Sequence, residues 1–422
     1  MRIAVVGSGI AGLSAAWLLS RWHQVTLYEA DNRLGGHTHT VDVTLDGQTF
    51  PVDTGFLVFN HRTYPELTRL FDTLGVETVA SDMSFSVRLD QPALEWAGTS
   101  LATLFGQRRN LARPAFWGML SDILRFNRET RDDPALASGM SLGAYLDARG
   151  YGKPFVEWYL LPMAAAIWSC PASRMLEFPL ASFIAFCRNH GLLQILDRPQ
   201  WRTVKGGGRE YVNKLAATLD DIRLGHPVES LRPRGRGIEL ASGHHAALYD
   251  QVVLACHSDQ SHALLASHYP AQARLLKKMP YQANRAVLHS DPSVLPRRPS
   301  LWSAWNYQSG EGRLSERPVA VHYLINRLQP LPTDTPVIVS LNPVSAIDPA
   351  KIHGEFHYSH PVFERHATAV QKQIDAANGR DGVWLAGAWM GYGFHEDGLA
   401  SALKVARRLN VNAPWLELAR AA

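Results

Sequence analysis

The chain opens on Ile3-Ala4-Val5-Val6-Gly7-Ser8-Gly9-Ile10-Ala11-Gly12, and an apolar run from Leu13 to Leu19 follows at once. This stretch predicts a short strand entering a glycine turn that opens straight into a helix. The glycines keep G-x-G-x-x-G spacing: one makes the tight turn, one admits a pyrophosphate against bare backbone, and one lets helix and strand pack closely. Free N–H groups at the helix N-terminus favour an anion, so Gly7, Gly9, Ile10, Ala11 and Gly12 are expected at a dinucleotide. Gln24 to Tyr28 reads as a second strand and delivers Glu29, a carboxylate 22 positions after Gly7. That spacing suits a ribose hydroxyl and disfavours a 2′-phosphate.

Just beyond lies Arg33-Leu34-Gly35-Gly36-His37-Thr38. The run from Val5 to Thr38 resembles the opening of the flavin-containing amine oxidase and phytoene desaturase superfamily, in which the second motif also touches the FAD diphosphate. The resemblance implies FAD as cofactor, with Arg33, Gly35, Gly36, His37 and Thr38 beside it. A D-x-G segment near the flavin in that superfamily adds Asp53, Gly55 and Phe56, although turn chemistry alone explains such a segment too. By position in the family, Val228 is the backbone clamp on the adenine.

Near the other end, Val383 to Ala386 leads into Gly387-Ala388-Trp389-Met390-Gly391-Tyr392-Gly393-Phe394-His395-Glu396-Asp397-Gly398-Leu399. Strand, glycine loop, helix: the logic of the opening motif recurs. In the superfamily this segment passes the ribityl chain and aims a helix N-terminus at the flavin, where a positive dipole stabilises the reduced, anionic ring. The resemblance therefore places Gly387, Ala388, Phe394, His395, Gly398 and Leu399 at the cofactor. Ala388 stands where the family usually has an aspartate, so ribityl anchoring is expected from other groups. Tyr392, His395 and Glu396 lie closest to the expected ring and are the candidate catalytic or substrate-contacting residues, with helix capping as the competing role.

A chain of 422 residues exceeds one core. The expected fold is α/β: a Rossmann-like, three-layer FAD-binding domain from 1–59, 202–280 and 371–422, with an inserted α+β substrate domain from 60–201 and 281–370. Hydrophobic content of 46% and charged content of 19% suit a large buried core, and a net charge of +4 does not suggest a nucleic-acid binder. Three separated cysteines give neither a disulfide framework nor a zinc site, and none of the 18 histidines sits in a metal-ligand pattern, so no metal is expected. No run approaches a membrane span, which places the protein in the cytoplasm, with a peripheral contact to the inner face of the membrane as a further expectation.

Helical periodicity dominates the inserted segment, at Tyr64 to Leu74, Phe116 to Phe126, Ser141 to Ala148 and Phe155 to Ile167. Between 101 and 128 aromatic and basic residues interleave, a pattern that fits either a lipid surface or, as the plainer reading, a core-facing helix with a solvated basic face. Four further strands are expected at Arg285 to His289, Leu301 to Tyr307, Val319 to Leu324 and Val337 to Leu341. In amine oxidases a lysine on a strand like the first bridges to the flavin; Arg285 is its nearest counterpart here and cannot deprotonate.

No second nucleotide module is visible, so electrons are expected to enter from an organic substrate. With Ala255-Cys256-His257-Ser258-Asp259-Gln260 and Asn326-Arg327-Leu328-Gln329, the chain resembles a bacterial subgroup encoded beside cyclopropane-fatty-acid synthase-like methyltransferases. That implies a hydrophobic, fatty-acyl or lipid substrate, hydride transfer to FAD, and a methyltransferase partner. An amine oxidase, a redox-neutral isomerase and a non-catalytic binding protein are the competing functions.

Overall fold

The computed structural model describes residues 1–131, 133–168, 172–194, 198–310, 319–364 and 366–416. At its centre the opening strand, Arg2–Val6, lies in a five-stranded sheet ordered Asp221–Arg223, Gln24–Tyr28, Arg2–Val6, Gln251–Leu254, Val383–Leu385. Every pairing is parallel. Read in chain order the strands run 3-2-1-4-5, so the winding reverses beside Arg2–Val6. Ligands in such sheets bind outside the carboxyl ends of the strands at that reversal.

Alternation along the opening strand sets the three layers. Ile3 and Val5 share a core with the helices Ile10–Ser20 and His395–Arg408, whereas Ala4 and Val6 pack with Leu231, Ile238, Leu240 and Tyr249 of an antiparallel meander. Helix Ile10–Ser20 is buried on every side up to Leu19, which explains its unbroken apolar sequence.

A second sheet has seven strands, ordered Ile352–Pro361, Tyr281–His289, Ile338–Leu341, Val319–Leu324, Trp305–Ser309, Phe85–Leu89 and Leu94–Ala97. All its pairs are antiparallel except the Trp305–Ser309 and Phe85–Leu89 pair. Two of these strands, with Thr78–Ser81, fall in the stretch whose periodicity reads as helical. The strand expected from Leu301 begins later, because Pro299–Leu301 forms a tight helical turn first.

Helices Pro114–Glu129, Leu142–Ala148, Leu161–Trp168 and Leu180–Asn189 build an aromatic-rich core of their own. A π-helical turn at Val156–Leu160 interrupts the expected Phe155 to Ile167 helix. Pro162 lacks the N–H that would close an α-turn onto the Trp158 carbonyl, and a wider turn there relieves the clash. Among the described residues no helix is long and apolar enough to cross a membrane.

Candidate cofactor and active site

The first glycine turn is closed on every side but one. Gly7 has φ +98°, and a Cβ there would lie 3.1 Å from the Ala255 carbonyl carbon, just past the end of strand Gln251–Leu254 across the reversal. A Cβ on Gly12 would sit 1.8 Å from the Gly7 oxygen. At Gly9, the N-cap of helix Ile10–Ser20, a Cβ would meet nothing within 4 Å, and no side chain caps the helix. Its first turn is left without a side-chain cap beside an uncrowded glycine, as a bound phosphate requires.

The second glycine pair folds over this opening. Gly35 donates to the Ser8 carbonyl at 3.1 Å, and a Cβ on Gly36, at φ +56°, would come within 2.9 Å of Gly9 Cα. Arg33 braces the turn through the carbonyls of Gly36, at 2.9 Å, and Thr38, at 3.3 Å. Glu29 accepts the Ser8 N–H at 2.8 Å and hydroxyl at 2.6 Å on one oxygen, and the Asp31 N–H at 2.9 Å on the other. The first oxygen is thereby filled, whereas the second keeps a lone pair, so the half-buried group still suits a ribose hydroxyl. Val228 lies half-buried before the meander strand Ser230–Arg234.

The carboxyl-terminal loop joins the same place from the far edge of the sheet. Gly387 donates to Ser401 Oγ at 2.8 Å, and the N–H groups of Gly391 and Gly393 both donate to the Ala388 carbonyl. A Cβ on Gly398 would lie 2.8 Å from Ile10 Cγ2 and 3.8 Å from the Ala11 nitrogen. The N-termini of helices Ile10–Ser20 and His395–Arg408 therefore meet, and two positive dipole ends converge on one space. Leu399 is fully buried and contributes to the core rather than a side-chain contact.

Around that space the side chains are polar but held neutral. His395 Nε2 lies 2.9 Å from Thr38 Oγ1 and 3.1 Å from Tyr211 OH, while its ring stacks on Phe56 at 3.7 Å. Burial holds its pKa down at about 3. His37 makes edge contacts with Tyr358 and His360, both at 5.0 Å, and burial followed by the neighbouring His360, His395 and His257 keeps it well below the usual range. Burial likewise lowers His360 to about 4. Tyr358 reaches Thr54 Oγ1 at 2.6 Å and His39 Nδ1 at 3.0 Å. Gly55 is required by proximity, because a Cβ there would fall 2.0 Å from the His37 carbonyl oxygen.

Three expected residues turn out to do other work. Asp53 accepts the Thr40 hydroxyl at 2.5 Å, the Gly208 N–H at 2.9 Å and Gln329 Nε2 at 3.0 Å. Its carboxylate is saturated within the protein and welds three segments together; burial raises its pKa to about 6. Glu396 accepts the N–H groups of Glu66, at 2.9 Å, and Leu67, at 3.0 Å, and so caps helix Pro65–Leu74. Arg285 is half-exposed and paired with Glu355; the in-turned residue on that strand is Asn284, 3.1 Å from His360 Nδ1.

Tyr392 and Phe394 pack against the helical core. There Phe186 stacks on Phe394 at 5.0 Å and on His190 at 3.9 Å, and Trp168 approaches Phe186 at 4.5 Å. Trp305 and Tyr323, in edge contact at 4.8 Å, stand beside Phe85 in the second sheet, and Tyr307 belongs to a buried cluster. Sequence reading gives no site role to Tyr211, Tyr358, His360, His257 or Asn284. They come from four separate segments, Tyr358 and His360 sharing strand Ile352–Pro361, and only the fold gathers them.

A 3-2-1-4-5 parallel sheet, a double glycine turn over an open helix N-terminus and a second helix aimed at the same cavity define a dinucleotide-binding flavoprotein. The family model for flavin containing amine oxidoreductase matches residues 10–314, and the chain belongs to that family, with FAD as its cofactor. It is 27% identical over 322 residues, 71% of its own length, to the carotenoid phi-ring synthase of Streptomyces griseus, of which it spans 59%. The chain spans less than two thirds of the length of the curated relatives it matches. In fold it is similar to a protoporphyrinogen oxidase structure from Exiguobacterium sp. 255-15, with a TM-score of 0.69, 18% identity and coverage of 97% of this chain and 98% of that one. A conjugated-linoleic-acid-producing fatty acid isomerase from P. acnes gives a TM-score of 0.66 at 13% identity, covering 97% and 99%.

Proposed function

We propose that the protein is an FAD-dependent dehydrogenase or desaturase that takes hydride from a C–H bond of a hydrophobic, fatty-acyl or lipid-like substrate. FAD, when bound, supplies the hydride acceptor. The observation that carries the reading is the chamber's aversion to charge. His37, His190, His360 and His395 are all held neutral by burial, and the same burial raises Asp397 to about 6. Such surroundings penalise an ammonium or carboxylate and accept a hydrocarbon.

The chain's own residues then divide the work. Gly9, Gly36 and Glu29 seat the far end of the nucleotide. The His395 helix N-terminus favours negative charge where its dipole points, and Trp168, Phe186, Phe394 and Tyr392 exclude water and bind apolar surface. A bacterial methyltransferase of the cyclopropane-fatty-acid synthase type is the partner this reading favours, because both would act on acyl chains. The test is turnover of the FAD-loaded protein with acyl lipids and an added electron acceptor, read by mass spectrometry. Products lighter by two hydrogens support the reading; release of hydrogen peroxide with polyamines or aromatic amines, and no acyl product, replaces it with an amine oxidase.

A further inference from the structure

The loop and helix from Leu101 to Arg131 expose large apolar side chains to solvent. Leu101 is 77% exposed, Leu111 53%, Trp117 50% and Leu124 57%. They form one surface: Phe105 meets Trp117 at 5.2 Å, Trp117 Nε1–H donates to the Leu111 carbonyl at 2.9 Å, and Leu124 follows Trp117 by two turns of helix Pro114–Glu129. The opposite face of that helix already supplies the core, through Phe116, Met119 and Phe126. The exposed stripe is therefore additional to the packing face. Arg128 continues it to the helix end.

Cationic groups rim this surface, and they come from two parts of the chain. Gly106 packs against Leu301, a Cβ there lying 2.6 Å from Leu301 Cδ2, which brings Arg297 and Arg298 beside Arg108 and Arg109. Together with Arg88 they line a recess of about 680 Å³ whose acids are Asp90 and Glu95. Five arginines against two carboxylates leave three positive charges in excess. Arg298 is spent on Glu95 and Arg297 reaches Asp90 at 3.6 Å, whereas Arg108 is exposed.

We propose that this face docks the protein on an anionic phospholipid surface, with Leu101, Leu111, Trp117 and Leu124 entering the acyl boundary and the arginine rim meeting headgroup phosphates. Apolar prongs with a tryptophan among them and arginines at headgroup depth are complementary to an anionic interface. A nucleic-acid surface would match the charge but would offer the exposed leucines no apolar medium, and a second copy of the chain would bring a like-charged arginine rim against this one. The proposal does not depend on the identity of the substrate, because docking is read without turnover.

Vesicle co-sedimentation of the FAD-loaded chain tests it. Binding is expected with phosphatidylcholine vesicles containing phosphatidylglycerol, weakening as salt is raised, and not with phosphatidylcholine alone. The Trp117→Ala/Leu124→Ala variant, folded by circular dichroism and flavin-loaded, is expected to stay in the supernatant. Each of Arg108→Gln and Arg297→Gln should lower the partition coefficient roughly fivefold, the effect of one basic side chain near an anionic surface. Absence of binding to the mixed vesicles, wild-type partition by the apolar double variant, or a dimer in light scattering that the same variant abolishes would each overturn the proposal, the last by making the face a contact between two copies.

Discussion

Glu29 has the narrowest job in the molecule: one oxygen ties down Ser8 inside the glycine turn, and the other accepts the Asp31 N–H and keeps one lone pair for a ribose hydroxyl. Removing it loosens the turn and deletes a charge-assisted bond, together about 1.5–3 kcal/mol. Glu29→Ala is therefore expected to release FAD at least tenfold more readily, measured by flavin fluorescence on dilution, with little change in the fold. Gly36→Ala should do worse. It places a Cβ 2.9 Å from Gly9 Cα at a φ of +56°, so loading with FAD should fail even at excess cofactor. These glycines and Glu29 are legible in the sequence because their chemistry is local, each within a single turn of backbone. Asp53 and Arg285 are not, since Gly208 and Gln329, which saturate Asp53, and Glu355, which pairs with Arg285, lie far away in the chain.

Between elements, Glu396 links the carboxyl-terminal helix to Pro65–Leu74 by capping the latter. Loss of a helix cap costs about 0.5–2 kcal/mol, so Glu396→Ala should lower the melting temperature while leaving kcat within about twofold. A collapse of kcat at unchanged stability would instead return Glu396 to the chemistry. A second link is a buried polar chain on the second sheet. The Asp291 N–H donates to His289 Nδ1 at 3.0 Å, which leaves the proton on Nε2 to donate to Ser340 Oγ at 2.7 Å. Ser340 must then donate to His322 Nδ1, at 2.6 Å, and His322 Nε2–H to Gln308 Oε1, at 3.0 Å. Ser340→Ala orphans two imidazoles at once and should destabilise the fold by about 1–3 kcal/mol, read by denaturant unfolding.

Elements that carry their own punctuation were legible. The hairpin Thr40–Leu45 and Gln48–Asp53 turns at Asp46-Gly47, and Gln24–Tyr28 lies where its apolar run indicates. The strands Phe85–Leu89 and Leu94–Ala97 were not, because the first joins the sheet through Trp305–Ser309, over two hundred residues away, and the second only through the first, inside a stretch whose neighbours are helical. Ile352–Pro361 hid for a related reason: its inner face carries Tyr358 and His360, side chains that belong to the cavity rather than to an apolar core.

For the molecule as a whole, burial acts on two sets of groups with opposite sign. Burial lowers His37, His39, His190, His289, His322, His360 and His395, several to about 4 and two to about 3. The unfolded chain binds protons at these sites first, so their contribution is complete above pH 6.5 and is lost as pH falls towards 4. Asp53, Asp397 and Glu396 are raised to between about 6 and 7, so their contribution is complete below about pH 4 and is lost as pH rises through that window. Seven groups outweigh three. Melting temperature measured against pH should therefore fall as pH drops from 6 towards 4, the histidine loss outweighing the carboxyl gain over the same range; an unchanged melting temperature across that range would mean that the histidines are not buried neutral.

The same burial is why the site suits a hydrocarbon, and anaerobic titration of the oxidised, FAD-loaded protein tests that claim most directly. The expected result is bleaching of the visible flavin absorbance by an acyl lipid and not by polyamines or aromatic amines. Bleaching by amines alone would contradict it.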